Sequence, residues 1–384
     1  MTHSRDRTGK RRVLLVDTQA DQIVNFREVL LKTIVSRGHK AFAAADCGTP
    51  AEVEELSRWG IEFVPVRISR TGTNPVGEIL TLWRLFRLLR RLKPDVVLMC
   101  TVKPTIYGIL AARLAGIPHR FAMLTGLGYA LTEGEGWKRK VVRMLVLSLL
   151  KLSLRFTDRL IVQNPDDQDF FLDHGFIEDK QRIGCVNGSG VDLDKFAAKP
   201  LPSSGDGLVF LMITRLIRDK GVAEYVEAAR LVKARHPNCR CLLVGPLDPN
   251  PSAFSPSEVE EWVKRRDIEY LGAVPDVRPY IEACHVFVLP SYYREGTPRT
   301  ILEALATGRP VITTNMPGCR QTVVDGLNGH LIPPRDANAL AAAIESYFVE
   351  PGLLDEHAGR SRTFVEDKFD ARLVSRDMMV LMRL

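Results

Sequence analysis

At 384 residues, 45% of them hydrophobic, the chain exceeds one ordinary domain and carries enough apolar material for two sizeable cores. Its formal charge of +7 fits an anionic lipid surface, a nucleic acid or a phosphorylated substrate without choosing among them. Seven dispersed cysteines do not form a small disulfide framework, and the eight histidines make neither a short pair nor an HExxH. Cys239 and Cys241 share one face of an apparent strand with no second pair to complete a zinc site, so no metal is expected.

The opening MTHSRDRTGKRRVLLVD passes from a charged lead straight into a strand-like run, without the apolar segment of a signal peptide. No stretch has the uninterrupted apolar length of a membrane span, and a cytoplasmic location is expected. Val13 to Val16 reads as a strand, Phe26 to Ser36 as a helix ended by Gly38, and AFAAA as a second strand. A polar helix ending near Trp59, the strand IEFVPV, a helix from Val76 to Leu92 and the strand PDVVLMC follow. A helix over Thr105 to Ala115, a run ending at Leu124, a long segment over 137 to 156 and the strand DRLIVQN complete a first unit. Strand-then-helix order predicts a mostly parallel sheet covered on both faces.

VNGSGVDLDKFAAKPLPSSGDG accumulates turn residues and reads as a boundary. LVFLMITRL then opens a second unit with the helix Val222 to Ala234 and the strands CRCLLVG, IEYLG, VFVLP, PVITT and HLIPP. Helices are expected over Ser257 to Lys264, Arg278 to Ala283, Thr300 to Ala306 and Asn338 to Tyr347, with DPNPSAFSP as a surface loop. The expected division is 1–188, 189–362 and a terminal segment 363–384 whose last helix packs back on the first unit or stays on the second. Two such units create a cleft in which strand-end loops hold a ligand near helix N-termini.

Charge gathers at two of those strand ends. In SYYREGTPRTILEALATGRPV, Glu295 precedes a glycine turn, Thr297 can cap a helix, Pro298 suits a first helical position, and Glu303 follows within the helix. Ordinary capping and surface charge compete with a ligand role for both glutamates. In TRLIRDKG, Arg215 and Lys220 flank a turn from which they can converge on a diphosphate, with Arg218 and Asp219 as solvent-facing charges.

Arg215-Leu-Ile-Arg-Asp-Lys220-Gly and Glu295-Gly-Thr-Pro-Arg-Thr-Ile-Leu-Glu303 together resemble the retaining glycosyltransferases of family 4, most clearly over residues 205 to 345. That resemblance implies the GT-B fold, two Rossmann-like α/β domains facing across a cleft. It gives Arg215 and Lys220 the donor diphosphate and the departing nucleotide, Glu295 the transferred sugar and Glu303 the donor ribose. Gly296, Thr297 and Pro298 are further phosphate or sugar contacts, Gly245 borders the donor pocket, and Val274 lies near the base. Pro290, Gly308 and Pro310 either shape the site or simply bound strands and helices.

Thr125-Gly126-Leu-Gly128-Tyr129 resembles the TGLGY segment of the branch acting on polyprenyl-diphosphate-linked sugars, and these residues are acceptor-side candidates. The first loop, DTQADQIVNFRE, lacks the glycines common in the class, and the loop 125–129 stands where many members carry a histidine. Upstream, His119 is read as structural or as a surface residue. Asn164 and GSGVDLDKF fit family positions, whereas Asn187 stands where relatives often have proline.

The implied reaction is retaining, metal-independent transfer of a hexose or N-acetylhexosamine from a UDP-sugar to a polyprenyl-diphosphate-linked sugar in bacterial surface glycan assembly, with no cofactor. WRLFRLLRRLK and WKRKVVRMLVLSLLKLSLRF can rest on an anionic inner-membrane surface as a peripheral contact, or pack their leucines into the core. No recognition module accompanies the basic segments, so nucleic acid is not an expected partner. A soluble acceptor, a nucleotide-sugar epimerase and a noncatalytic sugar-binding assembly protein stand as alternatives.

Overall fold

The computed structural model describes residues 9–68, 75–126, 137–250 and 252–384. It divides into two compact units: one runs to Ser189 and takes back Ala371–Leu384, and the other is Gly190–Asp370.

The first unit is built on a seven-stranded parallel sheet in the order β3-β2-β1-β4-β5-β6-β7. Its strands are β1 (Arg12–Val16), β2 (Lys40–Ala45), β3 (Glu62–Pro65), β4 (Val96–Cys100), β5 (His119–Leu124), β6 (Arg159–Val162) and β7 (Ile183–Cys185). Sequences such as VVLMC are buried along their whole length, as a strand covered on both faces requires. The helices are α1 (Ala20–Ser36), α2 (Pro50–Arg58), α3 (Pro75–Leu92), α4 (Ile109–Leu114), α5 (Trp137–Leu154) and α6 (Pro165–Asp173). A π-turn, Pro104–Gly108, leads into α4 where a plain helix is expected from Thr105. Helix α1 starts at Ala20 rather than Phe26 because Ala20, Ile23 and Val24 extend its buried stripe past the polar residues between them.

Helices α3, α4, α5 and α6 supply the core on one face of this sheet. The two basic apolar helices divide their leucines between core and solvent. In α3, Leu85, Leu88, Leu89 and Leu92 are buried, while Val76, Ile79, Leu80 and Trp83 are exposed. In α5, Leu150 and Leu154 are buried, while Trp137, Val141, Met144, Leu145 and Leu152 are exposed.

The second unit has a six-stranded parallel sheet in the order β10-β9-β8-β11-β12-β13. These strands are β8 (Val209–Ile213), β9 (Arg240–Val244), β10 (Glu269–Tyr270), β11 (Val286–Leu289), β12 (Val311–Thr314) and β13 (Gly329–Ile332). Its helices are α7 (Val222–Lys233), α8 (Pro256–Lys264), α9 (Arg278–Ala283), α10 (Arg299–Ala306), α11 (Ala337–Val349) and α12 (Pro351–Lys368). Because α12 runs unbroken to Lys368, the chain leaves this unit only after Asp370, not at 363. The last helix, α13 (Ala371–Leu381), packs against α1 of the first unit, with Val374, Met378, Met379 and Met382 in the core beneath it.

Beside the outgoing crossing, Val191 N–H donates to Phe369 O at 2.8 Å, which places the two connecting segments side by side. Ser189 is held from two directions: Arg27 Nη1 of α1 donates to its hydroxyl at 2.9 Å, and Gln163 Nε2 at 3.0 Å.

Candidate functional site

Parallel strands deliver the loops at their C-terminal ends to one edge of a sheet, which makes that edge the natural ligand site of an α/β unit. In the second unit the segment after β8 carries Arg215 to Lys220, the segment after β9 carries Gly245, and the segment after β11 carries Glu295. Glu303 stands in α10, in the chain that follows β11. Arg215, Lys220, Gly245 and Glu295 thus all lie in segments that leave the C-terminal ends of strands of one sheet, and Glu303 in the helix beyond.

Each of the four charged residues already has a partner of opposite sign. Lys220 Nζ is paired with Glu295 Oε1. Arg215 Nη1 donates to Asp248 Oδ2 at 2.9 Å. Arg299 Nε donates to Glu303 Oε1 at 3.2 Å, an i,i+4 pair on α10. Burial raises the pKa of Glu303, and the neighbouring Arg299 guanidinium opposes that rise. Ser291 Oγ lies 3.2 Å from Glu295 Oε1, and the ring of Tyr293 lies 5.2 Å from Lys220 Nζ. These carboxylates and cations are therefore held in place by one another.

The backbone explains how these loops meet. Tyr292 and Tyr293 N–H both donate to Asp219 O at 2.9 Å, tying the segment after β11 to the turn before α7. The stretch after β9, read as a surface loop, lies at the surface and folds onto the segment after β8. Leu216 N–H donates to Pro246 O at 3.1 Å, Arg218 N–H to Ser252 O at 2.9 Å, and Phe254 N–H to Leu216 O at 3.0 Å. Gly245 sits at φ 147, where an added Cβ would fall 1.7 Å from Thr214 O, so only glycine lets β8 and β9 end this close together. Its N–H donates to Gly272 O at 2.8 Å, linking it to the loop that carries Val274, which is itself partly buried against the core.

One local expectation is corrected. Pro298, not Thr297, is the residue preceding α10, and no side-chain hydrogen bond caps it; the helix begins at Arg299. Proline therefore stands one position before its expected place as the first helical residue. Arg218, read from sequence as a solvent-facing charge, is exposed; it donates to Glu258 at 2.8 Å with its guanidinium over the Phe254 ring.

In the first unit Thr125 and Gly126 follow β5, with Gly126 at φ 110. Gly128 and Tyr129 lie outside the described residues. His119 is at the opposite, N-terminal end of β5, 4.0 Å from Asp158 and remote from the strand-end edge. Asn164 caps α6 by accepting from Asp167 N–H at 2.8 Å. Sequence reading passed over Asp17 and Arg27 at the end of β1 and in α1. Burial pushes the Asp17 carboxyl up to about 6 against the opposing pull of Arg27. Asp248 and Arg299 were missed as well. The D-x-N-x-S spacing of an Asx turn and the four-residue spacing from Arg299 to Glu303 are the signals that could have found them.

Among the described residues, no group of three or more His, Cys, Asp or Glu is placed to hold a metal ion. Cys239 and Cys241 are buried free thiols whose sulfurs lie 3.8 Å apart.

Two Rossmann-like units, one of which gathers cations and carboxylates at its strand ends, are the architecture of a GT-B glycosyltransferase. A glycosyltransferase from Rickettsia africae superimposes with a TM-score of 0.75 at 21% identity over 98% of both chains. HepE of Anabaena, solved with UDP-glucose, gives 0.76 at 18% identity over 97% of this chain and 100% of that one. The pattern of "Glycosyl transferase 4-like domain" matches residues 26–184, and that of "Glycosyl transferases group 1" matches residues 207–348. The N,N'-diacetylbacillosaminyl-diphospho-undecaprenol alpha-1,3-N-acetylgalactosaminyltransferase of Campylobacter jejuni is 30% identical over 84% of this chain and 85% of its own length. The UDP-Gal:alpha-D-GlcNAc-diphosphoundecaprenol alpha-1,3-galactosyltransferase of Escherichia coli is 30% identical over 70% of each. The chain belongs to this family of GT4-like, nucleotide-sugar-dependent glycosyltransferases.

Proposed function

We propose that the protein moves a hexose or N-acetylhexosamine from a UDP-sugar to a sugar carried on polyprenyl diphosphate, with retention of anomeric configuration. The observation that carries this reading is the Lys220–Glu295 ion pair joining the segments after β8 and β11, with Arg215 on the same segment as Lys220 and Glu303 in the helix that follows Glu295. The named activities of the Campylobacter and Escherichia relatives support the acceptor class.

In this reading Arg215 and Lys220 bind the donor diphosphate and stabilise the charge it gains as the glycosidic bond breaks. Lys220 exchanges part of its bond to Glu295 for a phosphate oxygen, which leaves the Glu295 carboxylate to orient hydroxyls of the transferred sugar. Glu303, relieved of part of its bond to Arg299, accepts from the ribose hydroxyls. The acceptor hydroxyl enters on the face the nucleotide leaves, a leaving phosphate oxygen takes its proton, and UDP departs. Glu295 and Glu303 are not the acid and nucleophile of a glycosidase.

The acceptor's carrier brings the protein to a membrane surface, on the cytoplasmic face of the inner membrane where nucleotide sugars are supplied. No described helix is long and apolar enough to cross a membrane. Helices α3 and α5 instead expose Ile79, Leu80, Trp83, Met144 and Leu145 beside basic hollows. One, of about 850 Å³, is lined by Arg67, Trp83, Arg84, Arg87, Arg90 and Arg91; the other, of about 360 Å³, by Lys140, Arg143 and Lys151 among others. Apolar groups flanked by cations are the chemistry of an interfacial contact with anionic lipid.

A screen of UDP-sugars against a short polyprenyl-diphosphate sugar acceptor, on anionic vesicles and in excess chelator, tests the reading. Transfer that releases UDP only with acceptor present, and a retained anomeric centre by NMR, are expected. An inverted product, or activity lost to chelator and restored by magnesium, would reject the mechanism. Indifference to lipid-linked acceptor and to anionic vesicles would reject the acceptor half.

A further inference from the structure

Placing a carboxylate against a cation that must bind a diphosphate costs affinity by Coulomb repulsion, so the Asp248 to Arg215 bond requires an explanation. The structure provides one. Asp248 is only 11% exposed and Arg215 is 34% exposed, so the acid is the buried anchor and the guanidinium the part that meets solvent. Asp248 Oδ2 accepts from Arg215 Nη1 at 2.9 Å, while its Oδ1 accepts from Asn250 N–H at 2.9 Å.

Asn250 Oδ1 in turn accepts from Ser252 N–H at 2.9 Å and from Ser252 Oγ at 3.0 Å, and Ser252 O accepts from Arg218 N–H at 2.9 Å. The chain of bonds begins and ends on the segment after β8, at Arg215 and Arg218. Between them Ile217 bridges Ala253 in antiparallel fashion. Asp248 is thus fixed to the same backbone that carries Arg215. Among the described residues this is the guanidinium's one side-chain bond, and it occupies one of five N–H donors. The remaining fork is available to phosphate oxygens.

We propose that Asp248 is a positioning residue: it tethers the Arg215 guanidinium by one edge so that the rest of the fork meets the donor diphosphate already oriented. The proposal rests on the assignment of Arg215 to that diphosphate. An untethered arginine has several soft torsions that donor binding must then freeze, and this ordering cost outweighs the relief of repulsion when the acid is removed.

The test is calorimetric titration of the full chain with UDP and with UMP, which lacks the second phosphate. Asp248→Asn keeps an acceptor for Asn250 N–H and so preserves the turn, but presents its amide N–H₂ to Arg215. UDP is expected to bind about fivefold or more weakly to Asp248→Asn and Asp248→Ala, while UMP changes by less than about twofold. In an Arg215→Ala background, adding Asp248→Asn should change UDP affinity by less than about twofold, because the acid acts only through the arginine. UDP binding that equals or exceeds wild type in Asp248→Asn would overturn the tether in favour of a simple charge brake. Equal losses for UMP and UDP, or the same loss without Arg215, would reduce Asp248 to a structural role. Wild-type UDP affinity in Arg215→Ala alone would instead sink the diphosphate assignment beneath the proposal.

Discussion

Arg309 is a fully buried cation, and among the described residues no carboxylate is paired with it. Its guanidinium donates to Ile281 O and Lys199 O at 3.0 Å, and to Pro200 O and Glu282 O at 2.9 Å. Carbonyl dipoles take the place of a counterion, and the side chain pins the entering segment near Lys199 to the end of α9. Removing it leaves four carbonyls without that donor. Arg309→Ala is expected to lower the unfolding free energy by about 3 kcal/mol in urea denaturation; a loss below about 1 kcal/mol would reject this role.

Asp17 makes the opposite kind of site, an acid that burial holds to its proton more tightly than water would. Its pKa rises from 3.8 to about 6 through burial, so its contribution to stability is fully present below the unfolded value and fades as pH climbs through about 6. Asp17→Asn, which cannot ionise, should flatten that part of the fall in Tm between pH 4 and pH 7. A wild-type-to-variant difference that stays constant across the window would contradict a folded-state proton on Asp17. None of this was legible in sequence, because LLVD reads as a strand ending on an ordinary surface acid. The charges proposed to meet the donor were legible as candidates, since Arg215, Lys220, Glu295 and Glu303 follow strands that announce themselves. Their partner Asp248 was not, because its role depends on a loop folding back through backbone bonds that no side-chain pattern records.

Elements decide whether those charges stay in register. The segment bearing Glu295 leans on Gly318, at φ 84 after β12, where a Cβ would lie 2.6 Å from both Glu295 O and Gly296 O. Gly318→Ala must therefore displace the Glu295 turn or strain its own backbone. An approximately tenfold loss of kcat/KM for the donor is expected, larger than any change in KM for the acceptor, by initial-rate measurement. Unchanged kinetics would show that the two loops move independently. At this scale sequence succeeded where burial is total or nearly so: VFLMI, VFVL and VITT can hardly be anything but central strands. It missed α6, whose PDDQDFFLD opens with acids, and α12, whose PGLLDEHAGRSRTFVEDK shows no clean apolar stripe. It also missed β7, which at three residues gives no period to read.

Across the whole molecule, the chain finishes the first core from its far end. Met378, Met379 and Met382 are buried with Val13, Ile23 and Leu31, and Leu381 lies so near Gly184 that a Cβ there would fall 2.7 Å from it. A variant lacking residues 371–384 should expose the α1 face, bind more hydrophobic dye and melt earlier in the first unit. Retention of the wild-type melting profile would show the helix to be dispensable.

That placement also sets an order of events during synthesis. The first half of the chain leaves the ribosome well before the residues that seal it, so its nascent form carries an open apolar seam while the second unit is being made. Folding of the amino-terminal half is therefore completed only once residues beyond 370 have emerged. A stalled or prematurely terminated chain exposes a hydrophobic face to chaperones and proteases even if its donor half is intact.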